Sequence, residues 1–424
     1  LLALSMIFGL LTTSALAAEN EDGQNTSVTG NSAENQTVGE TQKGEGTTGD
    51  SETPPTENSK KEDSKEEQQE ETVAPQSTES EVNPVSTYTD NYATASYVLN
   101  GETVTFEGET LREVNNAMRT YWEVGDGSSY NADKLPADGT GTLTWTIYGT
   151  VLQGDYSNDG ALILPALSGG YIYKDGTYQW KEISVVAGNA DATIVSNTTY
   201  GDAYGYISNS ENCTTTLTGI TISGSTYVHP NGTLKFDGCT FTGVLRVPNG
   251  KGTTTVTNSK FTAAEDPASY NYALHYQGGG ELTFTNNEVG AYKRGLNIDN
   301  ASLTATVSDN TFAAVTDTGR SAIQITKATK LDVTSNEITL NGGNAFTLHA
   351  SLLGLTTVPE ISITGNTISG NGYLIYDDAA ANNKAFTADT LKLTYGPNTV
   401  DDTVDTTKGV KDSTVVEAGS AVQD

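Results

Sequence analysis

Apolar residues recur in pairs, five positions apart, along the second half of the chain. The pairs are Leu217/Ile222, Phe236/Phe241, Val256/Phe261, Phe284/Val289, Val307/Phe312, Val333/Ile338 and Ile363/Ile368. Their second members lie 19 to 30 positions apart. This scatter is too wide for helical repeats, but stacked β-coils with loops of variable length tolerate it. The pattern therefore predicts a stack of coils past residue 215.

An asparagine stands two positions before the second apolar residue in the last four pairs. These asparagines are Asn287, Asn310, Asn336 and Asn366. Because asparagine tolerates the left-handed backbone region, we expect each of them to occupy a tight bend. Stacked copies would also bond one another as an amide ladder. We therefore interpret these asparagines as structural.

A second kind of segment alternates apolar and polar residues. Its copies are 244–247, 273–277, 295–299, 322–326, 345–349 and 373–377. Because alternate strand residues point to opposite faces, the leucine-like pair of each copy should lie inside and its neighbours outside. The outward residues form two columns. The first column is Arg246, His275, Asn297, Gln324 and Thr347, and the second column is Gln277, Asp299, Thr326, His349 and Asp377.

The region before the coils predicts a helix followed by strands. Thr110-Leu111-Arg112-Glu113 matches a helix capping box, and Leu111, Val114, Met118 and Tyr121 then fall on one helical stripe. Residues 142–150 and 182–186 alternate like strands. A helix in this position would cover the open end of a coil stack.

From about Thr110 to Tyr395 the chain resembles the pectin-lyase-like superfamily of right-handed parallel β-helices. The resemblance lies in the helix cap, the three-strand coils and the asparagine turn between the second and third strands. It implies an all-β fold, a right-handed single-stranded parallel β-helix with an N-terminal capping helix. It implies no single reaction, because the superfamily includes polysaccharide lyases, glycoside hydrolases, epimerases, phage tailspikes and non-catalytic surface proteins.

Composition divides the chain further. Residues 1–17 are apolar and end in Ala15-Leu16-Ala17, which is typical of a secretory signal peptide, here truncated at its start. Residues 18–85 are rich in Glu, Ser and Thr without an aromatic residue, and we expect a disordered acidic linker. We assign 86–140 to the N-terminal cap, 141–400 to the β-helix and 401–424 to a polar tail or linker. The protein is thus predicted to be secreted, with attachment to the cell surface left open.

The formal net charge of −31 argues against nucleic acid or anionic membrane surfaces as partners. We expect a monomer whose partner is a polysaccharide, or a host or cell-wall glycan. We expect no cofactor, no metal and no membrane insertion of the mature chain. Cys213 and Cys239 take different places on the coil, so we expect two separate thiols.

In superfamily members that act on polysaccharides, the active site lies on the outer face of the first strand and on the loops leading into it. Here those loops carry Glu265, Asp266, Lys293, Arg294, Asp317 and Arg320, with Tyr270, Tyr272 and Tyr292 among them. A lyase could use Lys293 as base and Arg294 or Arg320 to stabilise a substrate carboxylate. Alternatively, the charges only form exposed ion pairs, which contribute little.

A third interpretation needs no catalysis. The tyrosines would offer faces for sugar stacking, while His275, Asn297, Gln324 and Asp299 orient hydroxyl or carboxylate groups. Sequence elements that identify polygalacturonase-like hydrolases and pectate-lyase-like enzymes are missing. Asp299 and Asp377, about 14 Å apart by coil spacing, are too distant for a glycosidase pair. The sequence therefore favours a non-catalytic glycan-binding, adhesion or spacer module, and the alternative is a lyase or hydrolase of an acidic polysaccharide.

Overall fold

The computed structural model describes residues 90–123, 130–152, 180–195, 204–209, 211–262, 272–315 and 320–406. All of them fall within one compact unit, residues 80–424. The expected signal peptide, the acidic linker and most of the C-terminal tail lie outside the described residues. No helix in the described ranges is long and apolar enough to cross a membrane.

The described part is built almost entirely of strands. In chain order the elements are β1 (Tyr92–Leu99), β2 (Glu102–Gly108), α1 (Leu111–Tyr121), β3 (Thr142–Tyr148), β4 (Thr150–Leu152), β5 (Glu182–Ala187), β6 (Thr193–Val195), β7 (Tyr204–Asn209), β8 (Thr214–Thr218), β9 (Thr221–Ser223), β10 (Ser225–Pro230), β11 (Thr233–Asp237), β12 (Thr240–Phe241), β13 (Leu245–Val247), β14 (Thr253–Thr257), β15 (Lys260–Phe261), β16 (Tyr272–Tyr276), β17 (Gly280–Thr285), β18 (Glu288–Val289), β19 (Arg294–Asp299), β20 (Leu303–Ser308), β21 (Thr311–Val315), β22 (Ser321–Lys327), β23 (Lys330–Thr334), β24 (Glu337–Leu348), β25 (Glu360–Thr364), β26 (Thr367–Asp377), α2 (Asp378–Ala381), β27 (Lys392–Tyr395), β28 (Thr399–Val400) and β29 (Val404–Asp405).

Two long sheets run along the stack. One has 12 strands in the order β2-β1-β3-β5-β8-β11-β14-β17-β20-β23-β25-β27, and the other gathers 17 shorter or bent strands. From β3 onward each strand of the first sheet pairs in parallel with its copy one coil later. This is the predicted coil stack, and the predicted all-β parallel β-helix is confirmed.

The N-terminal cap contains a hairpin as well as the predicted helix. Strand β1 pairs antiparallel with β2 and with β3, so the hairpin closes one edge of the 12-stranded sheet. In α1, the Glu113 amide donates to Thr110 Oγ1 at 3.1 Å and the Thr110 amide to Glu113 Oε2 at 3.3 Å. These two bonds are the predicted capping box. Leu111, Val114 and Met118 are buried, whereas Tyr121 is half-buried.

The predicted apolar pairs form the core. Every member of the seven pairs is at most 2% exposed. Parallel register stacks them along the axis, and the rings of Phe241 and Phe261 lie 4.6 Å apart, nearly parallel. Cys213 and Cys239 are two separate buried thiols, and burial raises the pKa of each to about 11.

The predicted amide ladder is present. Asn287 Nδ2 donates to Asn310 Oδ1 at 3.0 Å, and Asn310 Nδ2 donates to Asn336 Oδ1 at 2.9 Å. The ladder continues through Asn366 to Asn398, which the sequence analysis did not include. All five side chains are at most 3% exposed.

The conformation expected of these asparagines was wrong. The left-handed residue of each bend is the one before the ladder asparagine: Asn286 has φ 56°, Asp309 φ 57° and Ser335 φ 57°. That preceding residue turns the chain. The ladder asparagine is thereby left to point its amide inward, where it satisfies backbone groups of the neighbouring coils.

Candidate functional site

The first column is confirmed by strand register. Arg246 pairs with His275, His275 with Asn297, Asn297 with Gln324, and Gln324 with Thr347. Strands β13, β16, β19, β22 and β24 carry these residues on consecutive coils. The structure also extends the column to Tyr227 before Arg246 and to Tyr376 after Thr347. An aromatic residue therefore stands near each end.

The second column differs from the prediction at Thr326. A register shift after Ile298 pairs Asp299 with Lys327 instead. Lys327 Nζ lies 3.2 Å from Asp299 Oδ1, and Gln277 Nε2 donates to Asp299 Oδ2 at 3.4 Å. Thr326 lies beside Asn297 on the outer side of the sheet, where its hydroxyl donates to Asn297 Oδ1 at 2.7 Å. A bulge adds one residue to a strand, and alternation alone does not reveal it.

The last coil was also placed one residue out of register. Ile375 pairs with Phe346 and Asp377 with Leu348, so Tyr376 points outward and Asp377 lies on the core side. Asp377 is 7% exposed, and its Oδ1 accepts from the Ala380 amide at 3.0 Å, at the start of α2.

His349 does not continue the second column as a strand residue. It precedes a short 3-10 helix, Ala350–Gly354, and its Nδ1 accepts from the Ser351 amide at 3.1 Å. Its Nε2 lies 3.6 Å from Asp378 Oδ2.

A compact cluster forms where β16 and β19 begin. Because Ala273 and Leu274 are both buried, Tyr272 and His275 emerge on the same outer side, three residues apart. Their rings stack with centroids 4.9 Å apart. The Arg294 guanidinium carbon lies 4.8 Å from the Tyr272 ring centroid, and Arg294 donates to the Tyr272 hydroxyl. We name Tyr272, His275 and Arg294 the tyrosine–histidine–arginine cluster.

Burial and then the nearby charge of Arg246 lower the pKa of His275 to about 4; Asp299 opposes them to a smaller extent, and Arg294 adds the smallest lowering. The imidazole is therefore neutral at neutral pH. Within the described part of the chain, His275 Nε2 and Arg294 Nε are enclosed nitrogen atoms without a hydrogen-bond partner. Enclosed polar atoms without a hydrogen bond are costly, and atoms of this kind are typical of functional sites.

Two further binding candidates are buried rather than presented to solvent. Tyr292 is 1% exposed, and its hydroxyl donates to the carbonyl oxygens of Gly243 at 3.1 Å and Thr262 at 3.3 Å. It is a core residue, and its expected role as a sugar-stacking loop residue was wrong. Asn297, although on the outer side by register, is 4% exposed because it is covered and bonded by Thr326. Gln324 is half-buried, and its amide donates to Thr326 Oγ1 at 3.1 Å.

The catalytic candidates are only partly brought together. Lys293 directly precedes Arg294, is half-buried and makes no ion pair within the described ranges. Arg320 is half-buried too, and its carbonyl accepts from the Asn344 amide at 2.7 Å. Tyr270, Glu265, Asp266 and Asp317 lie outside the described residues.

Two charged groups of this face were not recognised as site residues. Arg246 Nη1 donates to the Tyr227 hydroxyl at 3.4 Å, with the guanidinium carbon 5.8 Å from the ring centroid. Lys327 entered the second column only through the bulge. The alternation of residues 225–230 was the signal that could have placed Tyr227 beside Arg246.

Acidic groups are scarce here. With Asp377 on the core side, Asp299 is the one carboxylate of the two columns among the described residues. Glycoside hydrolysis uses two carboxyl groups about 5 to 10 Å apart. No group of three His, Cys, Asp or Glu side chains suited to a metal occurs in the described ranges.

Residues 243–387 match the family model described as the right handed beta helix region. No curated protein and no solved structure matches the chain. The matched residues include every strand of the first column from Arg246 to Tyr376. Together with the parallel sheets, the match shows a right-handed parallel β-helix.

Proposed function

We propose that this right-handed parallel β-helix is a secreted or cell-surface module that binds glycans on the outer face of its first column and does not cleave them. The tyrosine–histidine–arginine cluster carries the proposal. It combines an aromatic ring, a neutral imidazole and a guanidinium, with two enclosed nitrogen atoms that lack a partner among the described residues. Rings supply contact area to sugars, and fixed polar groups orient their hydroxyls.

The charges of the face favour an acidic glycan over a neutral one. The described face carries three positive side chains, Arg246, Arg294 and Lys327, and one negative side chain, Asp299. The chain as a whole has a net charge of −31. A carboxylate of the glycan could accept from the Arg294 guanidinium, which is always protonated. Attraction between such charges is weakened by salt, so ionic strength separates this contribution from ring stacking.

We expect the glycan to be bound without hydrolysis, because hydrolysis uses two carboxyl groups and the described face offers one, Asp299. That carboxylate is already engaged in an ion pair with Lys327 and a hydrogen bond from Gln277. A second candidate function remains a polysaccharide lyase, and the neutral imidazole of His275 favours it. An unprotonated base beside two arginines is suited to removing a proton next to a carboxylate. In that case His275, rather than Lys293, would be the base.

Retention of the full chain on immobilised polygalacturonate and on immobilised neutral galactan tests the binding function. We expect Tyr272→Ala to weaken retention on polygalacturonate by about fivefold or more. Arg294→Met should also weaken it, and added salt should weaken retention of the parent in the same way because it screens the same charge attraction. Arg119→Met on the exposed side of α1 is the charge-matched control and should change nothing. Equal retention of Tyr272→Ala, Arg294→Met and the parent would contradict the proposal.

The same samples distinguish binding from cleavage. A lyase releases products with new unsaturated ends, which absorb in the ultraviolet. If the parent releases them and His275→Gln loses that release while still being retained, the lyase function replaces the binding function. If the parent is retained and releases none, the binding function holds.

A further inference from the structure

We infer that a second site, at the first turns of the β-helix, binds a neutral saccharide unit through its hydroxyl groups. A hollow of ≈ 680 Å³ lies there, lined by the two residues before β1, the turns between β3 and β4 and between β5 and β6, and the first residue of β9. This volume is in the range of small-ligand sites. The site contains no residue of the tyrosine–histidine–arginine cluster and is independent of the proposed function.

The hollow coincides with a departure from the repeat. Only two residues lie between β8 and β9, and only two between β14 and β15, β17 and β18, and β20 and β21. Between β5 and β6 there are five, Gly188–Ala192. The longer turn supplies Asn189, Ala190 and Asp191 to the lining. Loops on a rigid scaffold are where binding residues concentrate.

Two amide side chains of the lining are held in place by backbone. Asn91 Oδ1 accepts from the Thr150 amide at 2.8 Å, and Asn189 Oδ1 accepts from the Gly149 amide at 3.0 Å. Gly149, at φ 61°, lets Asn91 approach closely, since a Cβ there would lie 2.2 Å from Asn91 Oδ1. With both oxygens engaged, each amide keeps its NH2 group as a donor. No hydrogen bond joins either NH2 group to the described part of the protein.

The lining also carries negatively charged hydrogen-bond acceptors. Asp90 and Asp191 contribute carboxylates, and Thr193, whose hydroxyl donates to the Asp191 carbonyl at 3.0 Å, holds the turn. No lysine or arginine is among the described residues that line the hollow. Paired NH2 donors and carboxylate acceptors match adjacent hydroxyl groups, which both donate and accept. The same carboxylates repel anions, so the ligand class is a neutral saccharide.

The test is saturation-transfer NMR on the full chain with three neutral disaccharides, cellobiose, lactose and mannobiose. We expect at least one of them to receive saturation. Asp191→Asn and Asp90→Asn should each weaken that binding by about tenfold, the usual effect of losing a charge-assisted hydrogen bond. Asp389→Asn, an exposed aspartate elsewhere, is the matched control. Asp191→Asn and Asp90→Asn should both leave retention on polygalacturonate unchanged, which separates this site from the first column.

Three outcomes would overturn the inference. None of the disaccharides receives saturation; or binding is seen and neither aspartate variant alters it; or Ca²⁺ alone raises the melting temperature through Asp90 and Asp191 while the sugars do not bind. Circular dichroism of each variant shows whether it is folded, so a loss of binding by an unfolded variant does not enter the comparison.

Discussion

Asn310 reaches Asn336 with two hydrogen bonds, because its amide side chain (2.9 Å) and its backbone N–H (3.0 Å) both donate to Asn336 Oδ1. Asn336 in turn donates through Nδ2 to the Val307 carbonyl at 3.0 Å and to Asn366 Oδ1 at 2.9 Å. One buried side chain thus satisfies groups on both neighbouring coils. The ladder holds the coils together where no regular strand pairing reaches.

We expect Asn336→Ala to destabilise the protein by about 3 kcal/mol or more. Two donors and two acceptors would each lose one hydrogen bond in a buried site, although Asn310 Nδ2 keeps its bond to the Phe284 carbonyl and Asn366 Oδ1 keeps the backbone N–H of residue 336. A buried group left without a partner costs roughly 1 to 3 kcal/mol before relaxation. Urea unfolding followed by circular dichroism measures the change. Asn341→Ala, at an exposed position of the same strand β24, is the control and should stay within about 0.5 kcal/mol of the parent. A similar small effect at Asn336 would mean that the ladder contributes little.

The residue before the ladder offers a change of opposite sign. Ser335 has φ 57°, a left-handed conformation that glycine adopts without strain, and Gly365 occupies the corresponding place one coil later. We expect Ser335→Gly to be neutral or stabilising by up to about 1 kcal/mol, and Ser335→Val to destabilise by about 1 to 2 kcal/mol. Thermal melts of the two variants give the comparison. The reverse order would show that Ser335 matters through its side chain rather than its backbone.

The fold could be predicted from the sequence because its apolar pairs and its asparagines repeat, and each repeat independently indicates one coil of the same structure. The hairpin β1–β2 could not be predicted in this way. Its inward residues include Ala93 and Ala95, and side chains this small give only a weak alternation of apolar and polar residues. Alternation places Tyr376 inward and Asp377 outward, because tyrosine is apolar along most of its length; the register of the last coil places them the other way round. The stacking of Tyr272 on His275, three residues along the same strand, depends on the buried pair Ala273 and Leu274, which simple alternation does not foresee.

Tyr292 was expected on the surface and lies in the core, which changes what its variants should do. We expect Tyr292→Ala to cost about 3 to 5 kcal/mol through the cavity it leaves. Tyr292→Phe should cost about 1 to 2 kcal/mol, because it removes only the bonds to Gly243 and Thr262. Chemical denaturation of both variants, with Tyr272→Ala as the half-buried comparison, measures the order. Tyr292→Ala melting like the parent would place this side chain outside the core after all.

The lowered pKa of His275 predicts how stability depends on pH. Unfolded, the imidazole has a pKa of 6.5, whereas in the folded protein it stays neutral down to about pH 4, because burial and then Arg246 oppose its charge. Between these values the unfolded state binds more protons, so the stability contributed by neutral His275 is present above pH 6.5 and is lost as the pH falls towards 4. The full loss is at most on the order of 3 kcal/mol, since each pKa unit corresponds to about 1.4 kcal/mol and His275 retains some contact with solvent.

Urea unfolding of the parent and of His275→Gln at pH 7.5 and pH 5 isolates this effect. Glutamine fills a similar volume and does not titrate, so we expect the parent to lose about 1 to 2 kcal/mol more than the variant over that interval. Burial also lowers the pKa of His229, but that residue is present in both proteins and its contribution cancels in the difference. Equal losses by the two proteins would mean that His275 is hydrated enough to protonate freely. The proposed binding face would then not contain a neutral imidazole.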